Sequence, residues 1–290
     1  FPGHLARTER DDMLKALADE GIDAVALGPD DSTYGAVESR DEAKACAALF
    51  RANADRIAGV IVTLPNFGDE RAIAETLRMA GLNVPVLIHA TSDDPARMGI
   101  DARRDAFCGK MSACNVLTQY GIPYSLTSLH TQRPESDSFR ADLRSFVGVC
   151  RVVRGLRRAR IGAIGARPAA FKTVRFSEKI LEASGIAVEP IDLSEILGRI
   201  DRLASDDVHV RAKLDEIHAY VTTDGIPPEA LTKMAKLGLV IDRWMKEADV
   251  TVSAVQCWTS MEEFFGVVPC TVMSMMSDVN LPSACEMDVC

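Results

Sequence analysis

The segment "GVIVTLPNFGDERAIAETLRMAGLNVPVLIHA", residues 59–90, decides the fold class of this chain. A short apolar run at 59–65 is followed by a helical pattern at 68–80, and a second apolar run follows at 84–90. Short apolar runs on either side of an amphipathic helix are typical of parallel strands joined by a crossover helix. The segment therefore predicts a βαβ unit within an α/β sheet.

The same alternation continues on both sides of this segment. Further helical patterns and apolar runs complete a first α/β domain, predicted over residues 1–150. The additional helices are predicted at 6–19, 41–56 and 102–120, and the additional strands at 22–28 and 123–129. Because the alternation opens on a helix, we expect a first strand to precede Phe1.

A second series of strands and helices begins after the basic stretch "RVVRGLRRAR", residues 151–160. We interpret this stretch as the solvated end of a helix at 136–156, where cations complement the helix dipole, rather than as an anion site. Strands are predicted at 160–165, 186–192 and 250–256, and helices at 169–184, 194–204, 207–221 and 227–247. The prediction is two consecutive Rossmann-like parallel-sheet domains, the second covering residues 151–290.

Composition narrows the possible partners and the cellular compartment. The net charge of −9 argues against nucleic acid as a partner, and no apolar run approaches the length of a membrane span. The eight cysteines include no C-x-x-C spacing, so we expect reduced thiols in a cytoplasmic protein and no structural zinc site.

Several short motifs could indicate a binding site, a catalytic residue or a helix cap. "IGAIGA" and "FCGKMS" lack the glycines and hydroxyl that nucleotide-binding loops need. His89 and His130 each follow an apolar run, where they would either bind a ligand or hydrogen-bond within a loop. Cys257 and Cys270 could be nucleophiles in principle, but we expect both to be buried, inert thiols. Ser283 and Glu286 fit a capping box at the start of a helix.

The stretch "QCWTSMEEFFGVVPCTVMSMMSDVNLPSACEMDVC", residues 256–290, resembles the L-fucose/L-arabinose isomerase family, in its fucose-isomerase-like branch. The resemblance implies a metal-dependent aldose–ketose isomerase, which moves a proton between two sugar carbons through a cis-enediol. It implies Mn²⁺ as the cofactor, with Glu286 as a metal ligand and acid/base. Gln256 and Trp258 are then candidate contacts to the monosaccharide substrate.

The resemblance also implies a homo-oligomer, a trimer or hexamer, in which a neighbouring subunit completes the pocket. His4 and Arg7 in the loop "FPGHLARTE" are candidate contacts to a neighbour's sugar, and Arg167 and Phe171 in "GARPAAF" are a second such pair. The remaining metal ligands would lie beyond residue 290, so the chain resembles a fragment without the rest of its catalytic domain. Two alternatives stay open: a two-domain sugar-binding protein or regulator, and a scaffold subunit.

Overall fold

The computed structural model describes residues 2–290, which divide into two compact units at residues 2–154 and 155–290. Each unit has its own parallel β-sheet covered by helices. The predicted α/β class is therefore confirmed. None of the helices in the described part of the chain is both long and apolar enough to span a bilayer.

The first unit contains a three-stranded parallel sheet in the order β1-β2-β3. Its strands are β1 (Val60–Leu64), β2 (Val86–Ala90) and β3 (Ser125–Leu126). Its helices are α1 (His4–Asp19), α2 (Arg40–Ala52), α3 (Glu70–Ala80), α4 (Ala106–Gln119) and α5 (Asp137–Leu156). The predicted βαβ unit is present, because β1 and β2 pair in parallel with Val60 opposite Val86.

Local signals fix the ends of the helices that surround this sheet. Asp69 caps α3 by accepting a hydrogen bond from the backbone N–H of Ala72, and Gly81 ends the helix in the left-handed conformation. Ser39 and Glu42 form a capping box at the start of α2. The periodic pattern of the sequence and these caps indicate the same helix ends. The predicted bounds of these helices therefore lie close to the observed bounds.

The predicted strand at 22–28 is wrong. Residues 22–27 are irregular, and the carbonyl oxygen of Leu27 accepts hydrogen bonds from the Arg10 guanidinium, at 2.6 Å from Nη2. A strand needs a neighbour to bond to, and among the described residues β1 is paired only with β2. A groove of about 590 Å³ runs along residues 22–27 and β1 instead. The predicted strand at 123–129 is likewise reduced to the two residues of β3.

The second unit contains a four-stranded parallel sheet in the order β5-β4-β6-β7. Its strands are β4 (Arg160–Ile164), β5 (Ala187–Ile191), β6 (Val252–Val255) and β7 (Ser283–Cys285). Its helices are α6 (Glu178–Ala183), α7 (Leu193–Asp201), α8 (Val208–Tyr220), α9 (Pro228–Glu247), a π-helical turn (Ser260–Phe265) and α10 (Cys270–Asp278). A Cβ atom at Gly162 would lie 2.7 Å from the Trp244 ring, so this glycine lets α9 pack directly on β4.

Two local predictions fail in the second unit. The helix predicted at 169–184 is replaced by a 3₁₀ turn at Lys172–Val174 and the short α6. The capping box at Ser283 and Glu286 is also wrong, because Ser283 belongs to β7 and Glu286 has a φ of 54°. The Ser283 hydroxyl accepts a hydrogen bond from Ser253 on β6, at 2.9 Å, so strand pairing takes the place of the predicted cap.

His89 is a buried residue of β2, and both nitrogens of its ring have hydrogen-bond partners in the first unit. Its side chain is completely buried, its Nδ1 lies 2.9 Å from Thr63 Oγ1, and its Nε2 lies 2.9 Å from the Gln132 carbonyl oxygen. The ring also packs against Phe139 at a centroid distance of 4.4 Å. Burial lowers the pKa of His89 to about 4, so the ring is neutral in the folded protein.

We predict that His89 makes the stability of the first unit depend on pH. Its pKa is about 4 in the folded chain and about 6.5 when unfolded, so only the unfolded chain takes up the proton between these values. This contribution is fully present above about pH 6.5 and is lost as the pH falls toward 4, by up to about 3 kcal/mol.

Urea unfolding followed by circular dichroism at several pH values tests this prediction. His89→Gln should reduce the loss of stability between about pH 6.5 and pH 4, whereas the exposed control His209→Asn should leave the wild-type slope in place. An unchanged slope in His89→Gln would contradict the assignment.

Candidate functional site

The carboxyl ends of three neighbouring strands meet at one edge of the second sheet. Ile164 pairs with Val255, and Val255 pairs with Cys285, so β4, β6 and β7 end at the same level. Gly165, Gln256 and Glu286 come next in the chain. Ligands of α/β proteins bind at this edge of the sheet, and we therefore take it as the candidate site.

Glu286 is directed into this edge by an unusual backbone. Glu286 and Met287 both have left-handed conformations, with φ values of 54° and 64°. For residues other than glycine such a conformation costs about 1–2 kcal/mol each. The Glu286 side chain is only 8% exposed. Strained backbone that places a buried carboxylate is a feature of functional sites.

The two carboxylate oxygens of Glu286 differ in their partners. Oε1 accepts a hydrogen bond from the Trp258 backbone N–H at 3.1 Å and one from the Cys257 thiol at 2.5 Å. The Cys285 sulfur lies 3.6 Å from the same oxygen. Oε2 is buried and has no hydrogen-bond partner. A buried polar atom without a protein partner needs a specific explanation, such as a water, an ion or a catalytic role.

Two thiols complete this cluster. The sulfur atoms of Cys257 and Cys285 lie 3.5 Å apart, with Cys257 buried and Cys285 exposed. Burial raises the pKa of both thiols, and the neighbouring Glu286 carboxylate raises it further. The ligand atoms of Cys257, Cys285 and Glu286 all lie within 4.8 Å of one another, close enough to share one metal ion.

Gln256 connects the loops that follow β4 and β6. Its Oε1 accepts a hydrogen bond from the Ala166 backbone N–H at 2.8 Å, and its Nε2 donates to the Trp258 carbonyl oxygen at 3.1 Å. A Cβ atom at Gly165 would lie 2.6 Å from Gln256 Oε1, so glycine is required for this approach. Gln256 therefore positions both loops.

Trp258 and Phe171 form an aromatic surface beside the cluster. Their rings meet edge to face at a centroid distance of 5.1 Å, and Trp258 is 47% exposed. The Arg167 guanidinium donates to the carbonyl oxygens of Pro168 and Phe171, which holds the loop that carries Phe171. The structure thus links five of the predicted site residues in one unit: Gln256, Trp258, Glu286, Arg167 and Phe171.

His4 and Arg7 belong to the first unit. The segment predicted as a loop forms the first turns of α1, and both side chains are exposed. The Arg7 guanidinium carbon lies 5.2 Å from the centroid of the Tyr34 ring. Their role as contacts to a neighbouring subunit's sugar stays a prediction.

The pairing of the two thiols with Glu286 was missed from the sequence. Cys257 and Cys285 are 28 positions apart and share no motif spacing. The only available signal was that Cys257 closely follows a predicted strand. The capping-box pattern at Ser283 and Glu286 predicts that Cys285 lies in a helix, whereas it lies in β7. The sequence therefore does not indicate that Cys285 adjoins Cys257.

Comparisons with known proteins identify the family of the chain. A sequence model described as "Fucose/sulfoquinovose isomerase, N-terminal domain" matches residues 1–157. The chain belongs to this family. The predicted resemblance to fucose-isomerase-like proteins is confirmed.

Curated relatives from this family match at low identity. The sulfoquinovose isomerases of Priestia aryabhattai and Priestia megaterium are each 21% identical over 206 residues, which are 71% of this chain and 45% of the relative. The sulfoquinovose isomerase of Clostridium sp. (strain MSTE9) is 22% identical over 203 residues, 69% of this chain and 44% of the relative. The alignments with these relatives therefore extend over less than half of their length.

We predict that Gln256→Ala loosens the loops at this edge without unfolding the first unit. The change removes two hydrogen bonds, both exposed to solvent, and should lower the free energy of unfolding of the second unit by about 1 kcal/mol. Hydrogen exchange read by mass spectrometry should show faster exchange at Ala166. The exposed control Gln119→Ala should change stability by less than about 0.5 kcal/mol. Unchanged exchange at Ala166 in Gln256→Ala would remove Gln256 as the connecting residue.

Proposed function

We propose that this chain forms the first two domains of a metal-dependent aldose–ketose isomerase. The proposal is supported by membership of the fucose/sulfoquinovose isomerase family and by one observation at the sheet edge. That observation is the buried Oε2 atom of Glu286, which has no partner. A buried carboxylate oxygen is costly unless a hydrogen-bond donor or a cation satisfies it, and a metal ion is one such cation.

Only part of this cluster suits the Mn²⁺ ion that the resemblance implies. The Glu286 carboxylate suits this hard ion, whereas the neighbouring thiols of Cys257 and Cys285 do not. In the proposed enzyme Glu286 would hold the ion together with oxygen or nitrogen ligands from outside this cluster. The bound ion would supply polarisation of two adjacent sugar oxygens, which lowers the barrier to proton transfer between the carbons that carry them.

The residues of the chain would act around that centre in different ways. Trp258 and Phe171 would pack against the apolar face of a monosaccharide, because their rings contact each other beside Glu286 and Trp258 is exposed. Gln256 would hold the two loops that carry this surface. The Glu286 carboxylate would also serve as the acid/base that moves the proton.

We also propose a homo-oligomer in the cytoplasm. His4 and Arg7 are exposed at the start of α1, where they are free to meet a neighbouring subunit and its sugar. All eight cysteines are free, as expected in a reducing compartment.

The full-length protein tests the proposed function. After removal of metals by chelation, it is incubated with Mn²⁺ and a panel of aldoses that includes fucose, arabinose and sulfoquinovose, and ketose formation is followed by NMR. Isomerisation should require the ion. Glu286→Gln should lower kcat/KM by at least about 100-fold, because a direct ligand matters more than the groups that support ligands. The exposed Glu263→Gln in the neighbouring π-helical turn is the matched control.

Two results would contradict the proposal. Full activity in Glu286→Gln would remove this carboxylate from the reaction. Sugar binding without conversion at any divalent ion would favour the two-domain sugar-binding protein instead.

A further inference from the structure

We propose that Cys257, Cys285 and Glu286 form a binding site for a thiophilic divalent ion such as Zn²⁺. This site goes beyond the proposed isomerase and shares only Glu286 with it. The three side chains come from the ends of β6 and β7, which are fixed side by side by parallel pairing. The ligand atoms therefore come together in the fold without the ion.

The distances in the cluster fit tetrahedral zinc geometry. With Zn–S bonds of about 2.3 Å and Zn–O bonds of about 2.0 Å, two sulfur ligands stand about 3.8 Å apart, and sulfur and oxygen about 3.5 Å apart. The two sulfur atoms are observed 3.5 Å apart, and Cys285 Sγ lies 3.6 Å from Glu286 Oε1. Binding therefore requires only small side-chain movements at these two contacts.

The third contact is shorter than the zinc geometry requires. The Cys257 thiol donates to Glu286 Oε1 at 2.5 Å. When the ion binds, both thiols lose their protons to solvent, two sulfur–metal bonds and one oxygen–metal bond form, and no atom is oxidised or reduced. The hydrogen bond between Cys257 and Glu286 is replaced by their shared bonding to the ion, so this pair can separate.

The Glu286 side chain supplies the second, independent observation. It is more than nine-tenths buried, and its Oε2 has no partner. The Trp258 N–H fixes the other oxygen, as hydrogen bonds around metal ligands commonly do. Glu286 therefore keeps one buried carboxylate oxygen without a protein partner in the same side chain that lies beside the two thiols.

The chemistry of the donors selects the ion. Two thiols and one carboxylate favour Zn²⁺, Cd²⁺ or Co²⁺ over Mn²⁺ and Mg²⁺, which prefer oxygen ligands. Three protein ligands leave a fourth position open. Because Glu286 is shared, a thiophilic ion at this site would compete with the ion of the proposed isomerase.

Cobalt spectroscopy of the full-length protein tests the site. The protein is reduced with a phosphine, kept free of oxygen and titrated with Co²⁺. We expect a near-ultraviolet sulfur-to-cobalt charge-transfer band that disappears when Zn²⁺ is added. Cys257→Ser and Cys285→Ser should each weaken Zn²⁺ binding by at least about 100-fold in competition with a chromophoric chelator. Cys290→Ser, which changes another exposed thiol in the same tail, is the matched control.

The outcomes separate this site from the proposed isomerase. Co²⁺ that binds without a charge-transfer band, or a band of undiminished intensity in both variants, overturns the thiol site even if the enzyme is active. A band that depends on both thiols in a protein without isomerase activity supports the site and contradicts only the proposed function. If Cys257→Ser does not fold, Cys285→Ser at the exposed position gives the decisive comparison.

Discussion

The parallel pairing of β7 with β6 is the interaction on which the candidate site depends. Cys285 lies opposite Val255, so the residue after β7 and the residues after β6 reach the same edge of the sheet. The pairing is anchored by the Ser253 N–H, which donates to the Pro282 carbonyl oxygen at 3.0 Å, and by the bond between the Ser253 and Ser283 hydroxyls. Without the pairing of β6 with β7, Glu286 and Cys257 would not be held close together.

The turn that follows β7 is strained, and burial of its neighbours stabilises it. Met287 and Val289 are buried in an apolar cluster with Ala163 and Ala254. Full burial of such side chains contributes about 1.5–3 kcal/mol each, which exceeds the cost of about 1–2 kcal/mol for each left-handed residue. The apolar residues after the strand thus hold Glu286 in an orientation that it would not adopt alone.

Long periodic patterns in the sequence predicted the architecture, and short motifs did not predict the site. The βαβ segment at 59–90 was recognisable because a whole helix and two strands repeat one pattern. The predicted strand at 22–28 is absent because an apolar run forms a strand only beside another strand to which it can hydrogen-bond. The predicted Ser283–Glu286 cap is absent because the Ser283 hydroxyl instead bonds to the Ser253 hydroxyl on β6. Glu286 was identified through resemblance, whereas its contact with Cys257 depends on a sheet register that no local pattern encodes.

This sheet edge brings one carboxylate and two thiols close enough together to bind a single ion. X-ray absorption spectroscopy at the zinc edge measures that arrangement directly in the zinc-loaded, full-length protein. We expect the zinc ion to have two sulfur neighbours at about 2.3 Å together with oxygen at about 2.0–2.2 Å. In Cys285→Ser one of the two sulfur neighbours should be lost. A first shell of oxygen and nitrogen alone would contradict this arrangement.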